Sequence, residues 1–266
     1  MKYNKIMVMF GVGLVSCVVL RILQLFFVVD TVTGFFKKEF ETVGNIMLVA
    51  VFVIALAAAF FAFTAHRSPE QPPRTNKILG IAAFLPAVSL VYQILGESFP
   101  ASVQPWQLTL LKLTGLASAL FFVLFGLKAF VKIPLFKGMF VLPVMYFIMR
   151  VICDFTVVSS LALISDNLLL ITAYCTVLWF MLQFAKLYNS ADNEYGFRRL
   201  MAGGILSVIL CFTQSVPHII VNFYTKNSYL HTSFEANLNL LFMGAFILVF
   251  MIFHFSHKNS CELIEN

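Results

Sequence analysis

The chain has 266 residues, of which 61% are hydrophobic and 11% are charged, and its mean hydropathy is +0.92. A soluble domain carries about 25% charged residues, so this composition excludes a water-soluble globular protein and predicts an integral membrane protein. The formal net charge is +6, but the basic residues lie in short loops between apolar segments. The sequence therefore predicts the lipid bilayer as a partner and no nucleic acid.

Apolar segments long enough to cross a bilayer recur along the whole chain. A membrane-spanning helix needs about 20 predominantly apolar residues. The pattern predicts eight such helices, at residues 6–29, 43–65, 78–96, 108–131, 138–162, 167–187, 200–223 and 236–256. The predicted fold class is therefore an all-α integral membrane bundle of eight transmembrane helices, forming one membrane domain.

Lysine and arginine are distributed unevenly between the two sides of this bundle. With the N-terminus inside, twelve basic residues fall in the inner segments and three, Lys37, Lys38 and Lys226, in the outer loops. Cytoplasmic loops carry the excess of basic residues, so both termini are predicted to be cytoplasmic in a multi-pass protein of the cell membrane. The inner loop 66–77 is rich in proline, and Thr75 or Asn76 can cap the helix that follows.

Two segments of the chain resemble each other. Residues 20–29 and 149–158 share an arginine (Arg21 and Arg150), a following apolar pair, a phenylalanine and a Val-Val pair at corresponding positions. The match predicts two four-helix halves, 1–132 and 133–266. Because each half has an even number of spans, both would point the same way, as the parallel repeats of some transporters do.

Several short motifs occur in the two halves of the chain. They are Arg21-Ile22-Leu23-Gln24, Asp30 and Thr33-Gly34-Phe35-Phe36 in the first half, and Arg150, Phe155 and Ser165-Asp166-Asn167-Leu168 in the second. In these motifs the sequence resembles an uncharacterised family of multi-pass membrane proteins of Gram-positive anaerobes. The resemblance covers the whole chain with short motifs. It implies the multi-pass architecture and no particular activity.

Two charged side chains lie inside the fifth predicted span. Arg150 and Asp154 are four residues apart, so in a helix they share a face and can pair. Charged residues inside a membrane are costly and often functional. One interpretation is an outward-facing polar cavity in which Arg21 and Arg150 face one another and hold a small anionic solute. The candidate ligand-binding residues are Arg150, Asp154, Arg21, Gln24, Tyr174, Gln214 and His218.

A structural interpretation of the same residues stays open. Arg150 and Asp154 can simply satisfy each other, while glutamine and asparagine side chains join neighbouring helices. Glu97 and Lys112 flank an outer loop and are expected to reach the membrane surface. The many phenylalanines are expected to face lipid, and Gly115 with Ala119 is expected to allow close helix packing.

Sequence motifs for catalysis and metal binding are missing. The chain has no HExxH, GxSxG or P-loop motif, and its five cysteines form no CxxC pair. His254 and His257 are three residues apart but have no further ligand nearby in sequence. The sequence thus predicts no catalytic residue, metal or cofactor. A small-solute carrier is the first functional prediction. A non-transporting sensor, or a subunit that binds another membrane protein, is the alternative, and an enzyme is the least supported.

Overall fold

The computed structural model describes residues 2–30, 35–65, 76–97, 99, 103–131, 134–160, 165–189, 196–224 and 232–262. Eight long helices occupy these ranges: α1 Lys2–Leu23, α2 Glu41–Ala65, α3 Lys77–Gly96, α4 Pro105–Lys128, α5 Val141–Ser160, α6 Ser165–Tyr188, α7 Gly196–Tyr224 and α8 Phe234–Glu262. Each is long and apolar enough to cross a membrane. The predicted all-α fold and its eight spans are confirmed.

Short irregular helical segments adjoin three of these helices. A π-helical turn, Gln24–Val28, continues α1, while 3-10 turns at Lys38–Phe40 and Lys137–Phe140 precede α2 and α5. The side chain of Asn76 accepts a hydrogen bond from the backbone of Lys77 and so caps α3. The rest of the predicted loop, with Thr75, lies outside the described residues, as do Thr33, Gly34 and Lys226.

Six of the helices form a closed ring. Helix α3 packs on α4, α4 on α5, α5 on α6, α6 on α7, α7 on α8, and α8 returns to α3. Helices α1 and α2 pack on each other and against the outside of α7. Helix α2 is the most apolar span and the least buried, while α7 is the most buried. Lipid accepts only apolar side chains, whereas a helix surrounded by other helices can hold polar ones.

The predicted two-half repeat is not confirmed by these packing partners. In the second half, α6 packs along α7. The corresponding helix of the first half, α2, packs along α7 rather than forming a similar extensive contact with α3. The repeat therefore stays a prediction, and superposition of residues 1–132 on 133–266 would test it.

Aromatic rings fill one end of the six-helix ring. We call this the aromatic end, and it is defined by the buried residues Phe121, Phe122, Phe125, Phe140, Phe180, Phe184, Phe246 and Phe250. The ring centroid of Phe125 lies 5.7 Å from that of Phe184 and 6.2 Å from that of Phe246. The expectation that the phenylalanines face lipid is wrong for these residues, although Phe60 and Phe155 are exposed.

Glycines allow α3 and α4 to approach closely. A Cβ atom added to Gly80 would lie 2.5 Å from the Cβ atom of Ala129 and 2.9 Å from the carbonyl oxygen of Gly126. The predicted close packing at Gly115 is also confirmed, because a Cβ atom there would lie 2.5 Å from Ile94. These contacts fix the position of α3 and therefore of Glu97, which immediately follows it.

Candidate functional site

Polar side chains gather at the end of the bundle opposite the aromatic end. The last turns of α1 and α3, the middle of α5, the C-terminal part of α7 and the first turns of α6 and α8 contribute to it. We call this the polar end, and it is defined by Arg21, Glu97, Arg150, Asp154, Asp166, His218 and Asn237. Six of them are buried, and the side chain of Glu97 is 8% exposed. Buried charges are costly without partners, so the contacts of each one matter.

Arg150 lies between two carboxylates. Both terminal nitrogens of its guanidinium donate to Glu97, one of them over 2.8 Å to Oε1, and its Nε donates to Asp154 Oδ2 over 2.9 Å. The three side chains are at most 8% exposed. The predicted contact between Arg150 and Asp154 is present. The prediction that Glu97 reaches the membrane surface is wrong, because its carboxylate turns inward to the arginine.

Glu97 also joins α3 to α8. Besides the two bonds from Arg150, it accepts hydrogen bonds from Gln93 Nε2 at 2.8 Å and from Ser233 Oγ at 2.9 Å. Burial alone would raise the pKa of Glu97, but the charge of Arg150 and these hydrogen bonds outweigh that effect and hold the pKa below its ordinary value. The lowered pKa favours the ionised form of Glu97, whose two carboxylate oxygens together accept four hydrogen bonds.

Aromatic side chains enclose the guanidinium of Arg150. Its central carbon lies 5.0 Å from the ring centroid of Tyr174 and 5.2 Å from that of Phe99, distances at which a cation is attracted to a ring face. The hydroxyl of Tyr146 donates to Gln93 Oε1 at 2.9 Å. A cavity of only about 10 Å³ remains beside Arg150, which is space for about one water molecule.

Arg21 has a separate carboxylate. Its two terminal nitrogens donate to Gln24 and to Asp166 Oδ1, and both members of the ion pair are completely buried. Gln24 lies at the start of the π-helical turn and donates from Nε2 to the carbonyl oxygen of Gly44 at 2.8 Å. These contacts join α1 to α2 and α6. The two arginines therefore do not face one another as predicted, because each is held by its own acidic partner.

Polar contacts through α7 and α8 connect the two arginine clusters, and the contact between His218 and Asp166 is longer than a hydrogen bond. His218 Nε2 lies 3.8 Å from Asp166 Oδ1, and its Nδ1 lies 3.2 Å from Thr232 Oγ1. Asn237 Nδ2 donates to Thr232 Oγ1 at 3.0 Å and to the carbonyl oxygen of Ser233 at 2.9 Å. Since Ser233 also donates to Glu97, one polar network extends from Arg21 to Arg150.

A pocket of about 220 Å³ opens beside this network, between the end of α7 and the start of α8. Its lining residues are His218, Ile219, Asn222, Thr232, Ser233, Phe234 and Asn237. Asn222 is exposed, whereas His218 and Asn237 are at most 2% exposed. The pocket therefore leads from the surface of the bundle to the polar network.

Four buried polar atoms of this network have no hydrogen-bond partner among the described residues. They are Arg21 Nε, Asp166 Oδ2, Gln214 Oε1 and His218 Nε2. Gln214 belongs to the network through its Nε2, which is 3.5 Å from Asn237 Oδ1. Unpartnered buried polar atoms are rare, and one of these, His218 Nε2, belongs to a residue that lines the pocket. Water or a polar solute in the pocket can complete the hydrogen bonding of this network.

The candidate ligand-binding residues thus fall into two groups. Arg150, Asp154 and Tyr174 share one cluster, while Arg21, Gln24, Gln214 and His218 belong to the other cluster or its connection. Among residues that the sequence analysis did not select, the important ones are Glu97, Asp166, Thr232 and Asn237. Glu97 follows Gln93 by four residues, so the two polar side chains share one face of a helix. This spacing was the feature of the sequence that could have indicated an inward-facing Glu97. The remaining candidate, the His254–His257 pair, has the side chain of His257 outside the described part.

Comparisons with models of known protein families, with curated proteins and with solved structures found no match. The resemblance to a membrane-protein family of Gram-positive anaerobes therefore stays a prediction. What the structure establishes is a membrane-embedded bundle of eight apolar helices with a buried polar network at one end.

Proposed function

We propose that the protein is a small-solute carrier whose binding site is the pocket between α7 and α8. The observation that carries this proposal is the course of the pocket, from the exposed Asn222 to the buried His218 and Asn237. Binding sites combine an enclosed space with a few polar groups that fix the orientation of the ligand. The unpartnered atoms of His218 and Gln214 lie in the same region of α7.

The lining of the pocket favours a small uncharged polar solute. Its polar side chains are hydroxyls, amides and one imidazole, and Ile219 and Phe234 add apolar surface. The volume of about 220 Å³ is below the 300–1,000 Å³ of typical sites for drug-sized ligands. A small anionic solute at Arg150 has weaker support, because an anion would have to displace Glu97 or Asp154 from the guanidinium.

A binding screen tests the site directly. Purified protein would be melted with small anions, amino acids, nucleosides, polyols and anionic lipids, beside Asn237→Leu and the control Gln183→Leu, which removes a buried amide outside the pocket lining. A ligand at a hundred times its Kd stabilises by about 2.7 kcal/mol. We expect a stabilising solute whose effect disappears in Asn237→Leu and persists in the control. A hit lost only in Arg150→Gln would place the site at Arg150 instead.

A non-transporting sensor or complex subunit is the second candidate. The rings of Phe125, Phe184 and Phe250 pack together at the aromatic end and leave the pocket at the opposite end. This arrangement favours a receptor, because a receptor needs its ligand to reach the site from one side of the membrane only. Uptake of the solute identified in the screen into proteoliposomes separates the two functions. Saturable uptake that is lost in Asn237→Leu supports a carrier, whereas binding without uptake supports a receptor.

The orientation in the cell membrane belongs to the same proposal. The distribution of lysine and arginine supports cytoplasmic termini, which puts the polar end on the outer face. Topology reporters at Asn4 and Pro72 should report the cytoplasm, and a reporter at Asn227 should report the outside. An extracytoplasmic signal at Pro72 would reverse the orientation, so that the pocket would face the cytoplasm.

A further inference from the structure

The charges around Arg150 do not balance. One guanidinium lies between the carboxylates of Glu97 and Asp154, and all three side chains are at most 8% exposed. If both acids were ionised, this triad would hold one uncompensated negative charge away from water. Such a charge is strongly disfavoured, and two carboxylates that share one site cannot both ionise easily.

The groups that face the triad from neighbouring helices do not supply the missing positive charge. Tyr174 and Cys175 come from α6, Tyr146 and Cys153 from α5 itself, and none of these is a cation. Lys112 of α4 lines the small cavity beside Arg150, but it is exposed and forms no ion pair among the described residues. Glu235 of α8 lies near Gly96 and would add negative charge.

We propose that the triad binds one exchangeable proton and holds it on the carboxyl group of Asp154. Glu97 accepts four hydrogen bonds, two of them from the guanidinium. Asp154 accepts one, through Oδ2, and no donor contacts its Oδ1 among the described residues. The acid with fewer donors is the one that loses less by becoming neutral. This inference does not depend on a solute in the α7–α8 pocket.

A metal cation would be a poor substitute for the proton. The guanidinium of Arg150 contacts both carboxylates and would repel a second cation bound between them. Among the residues that the structure describes, no group of three or more histidine, cysteine, aspartate or glutamate side chains is placed to hold a metal ion. A neutral carboxylic acid removes the excess charge without this repulsion.

The triad lies at one end of the membrane-spanning bundle. Glu97 immediately follows the last residue of α3, and Asp154 lies one turn beyond Arg150 toward the same end of the bundle. A proton that is bound and released at one end makes the occupancy of the triad depend on the pH of that side. In a carrier this proton would be the coupling ion, and in a receptor it would be the regulator.

Infrared spectroscopy of the purified protein in lipid can detect this proton. A neutral carboxylic acid has a C=O stretching band that an ionised carboxylate lacks. We expect wild-type protein to show this band in mildly acidic buffer and to lose it as the pH is raised. Labelling the side-chain carboxyl of aspartate with carbon-13 should shift the band, whereas the same label in glutamate should not. This labelling experiment uses the wild-type protein, so its outcome does not depend on whether a variant folds.

Two isosteric variants and a control complete the test. Asp154→Asn removes the acid and should lack the band. Glu97→Gln balances the charges, so Asp154 should ionise and the band should again disappear. Glu41→Gln changes an exposed acid and should leave the band unchanged. The proposal is overturned if wild-type protein lacks the band or if only labelled glutamate shifts it. It is also overturned if replacing choline with sodium in the buffer, at constant pH, removes the band, because sodium would then take the place of the proton.

Discussion

Arg150 and Glu97 form a two-point ion pair across 53 positions of the chain. The arginine comes from the middle of α5, and the glutamate immediately follows α3. Ser233, just before α8, donates to the same glutamate. A single buried contact therefore joins three helices of the ring, and it neutralises a side chain that could not otherwise remain inside the bundle.

The two acids of the triad should differ in their contribution to stability. Glu97→Gln removes the charged acceptor of four hydrogen bonds and should lower the free energy of unfolding by about 2 kcal/mol. Asp154→Asn leaves Arg150 with Glu97 and keeps a side-chain oxygen that can accept from Nε, so it should cost less than about 1 kcal/mol. Thermal melting in lipid or detergent measures both, with Glu41→Gln as the exposed control. Equal losses in the two variants would contradict the different roles assigned to them.

The contribution of Glu97 should depend on pH with a defined sign. Its pKa in the folded protein is below the ordinary value because of Arg150 and the surrounding donors, which outweigh the opposite effect of burial. The stabilisation is therefore present above the unfolded pKa of about 4.3 and is lost as the pH falls through the lower folded pKa.

Acid unfolding in an Asp154→Asn background isolates this effect, because only one acid of the triad then titrates. The stability difference between Asp154→Asn and the double variant with Glu97→Gln should be constant near neutral pH and should shrink below about pH 4. A difference that grows with acidity would show that the folded pKa is raised.

Arg21 and Asp166 should behave as mutual counterions. Both are completely buried, so removing one leaves the other charge unpaired, at a cost of about 3–5 kcal/mol. The double variant Arg21→Gln with Asp166→Asn should recover part of that loss. Thermal melting of the two single variants and the double variant forms a mutant cycle, with the exposed Lys37→Gln as a control. Additive losses would show that the pair makes no coupled contribution.

Close contact between α3 and α4 should make Gly80 intolerant of a larger side chain. In Gly80→Ala the new Cβ atom would lie 2.5 Å from Ala129, so the helices must separate, and we expect a loss of about 1–3 kcal/mol. Gly11→Ala is the matched control, because nothing lies within 4 Å of a Cβ atom at that position. There, alanine should be neutral or stabilising by up to about 1 kcal/mol. Similar melting temperatures for the two variants would contradict the observed crossing.

The failed expectations have a common physical cause. Glu97 lies at the end of its span, where a charged side chain can reach either the membrane surface or the interior. Its direction depends on Arg150, which comes from another helix. Likewise, Phe125 and Phe60 lie in equally apolar surroundings in the sequence, but one is buried against other rings and the other is exposed. Hydropathy measures how favourably a side chain is placed in lipid. It does not tell which other side chains will pack against it.

The sequence by itself determined the eight spans, the all-α class, a cap for α3 at Thr75 or Asn76 and the i, i+4 contact between Arg150 and Asp154. Each depends on residues close together in the chain, where backbone geometry alone decides which side chains meet. Only the tertiary structure decided that α3 to α8 form a ring, that Arg21 and Arg150 have separate acidic partners, and that a pocket lies beside His218 and Asn237. In a membrane every exterior face can be equally apolar, so helix partners are chosen by close packing and buried polar contacts between distant residues.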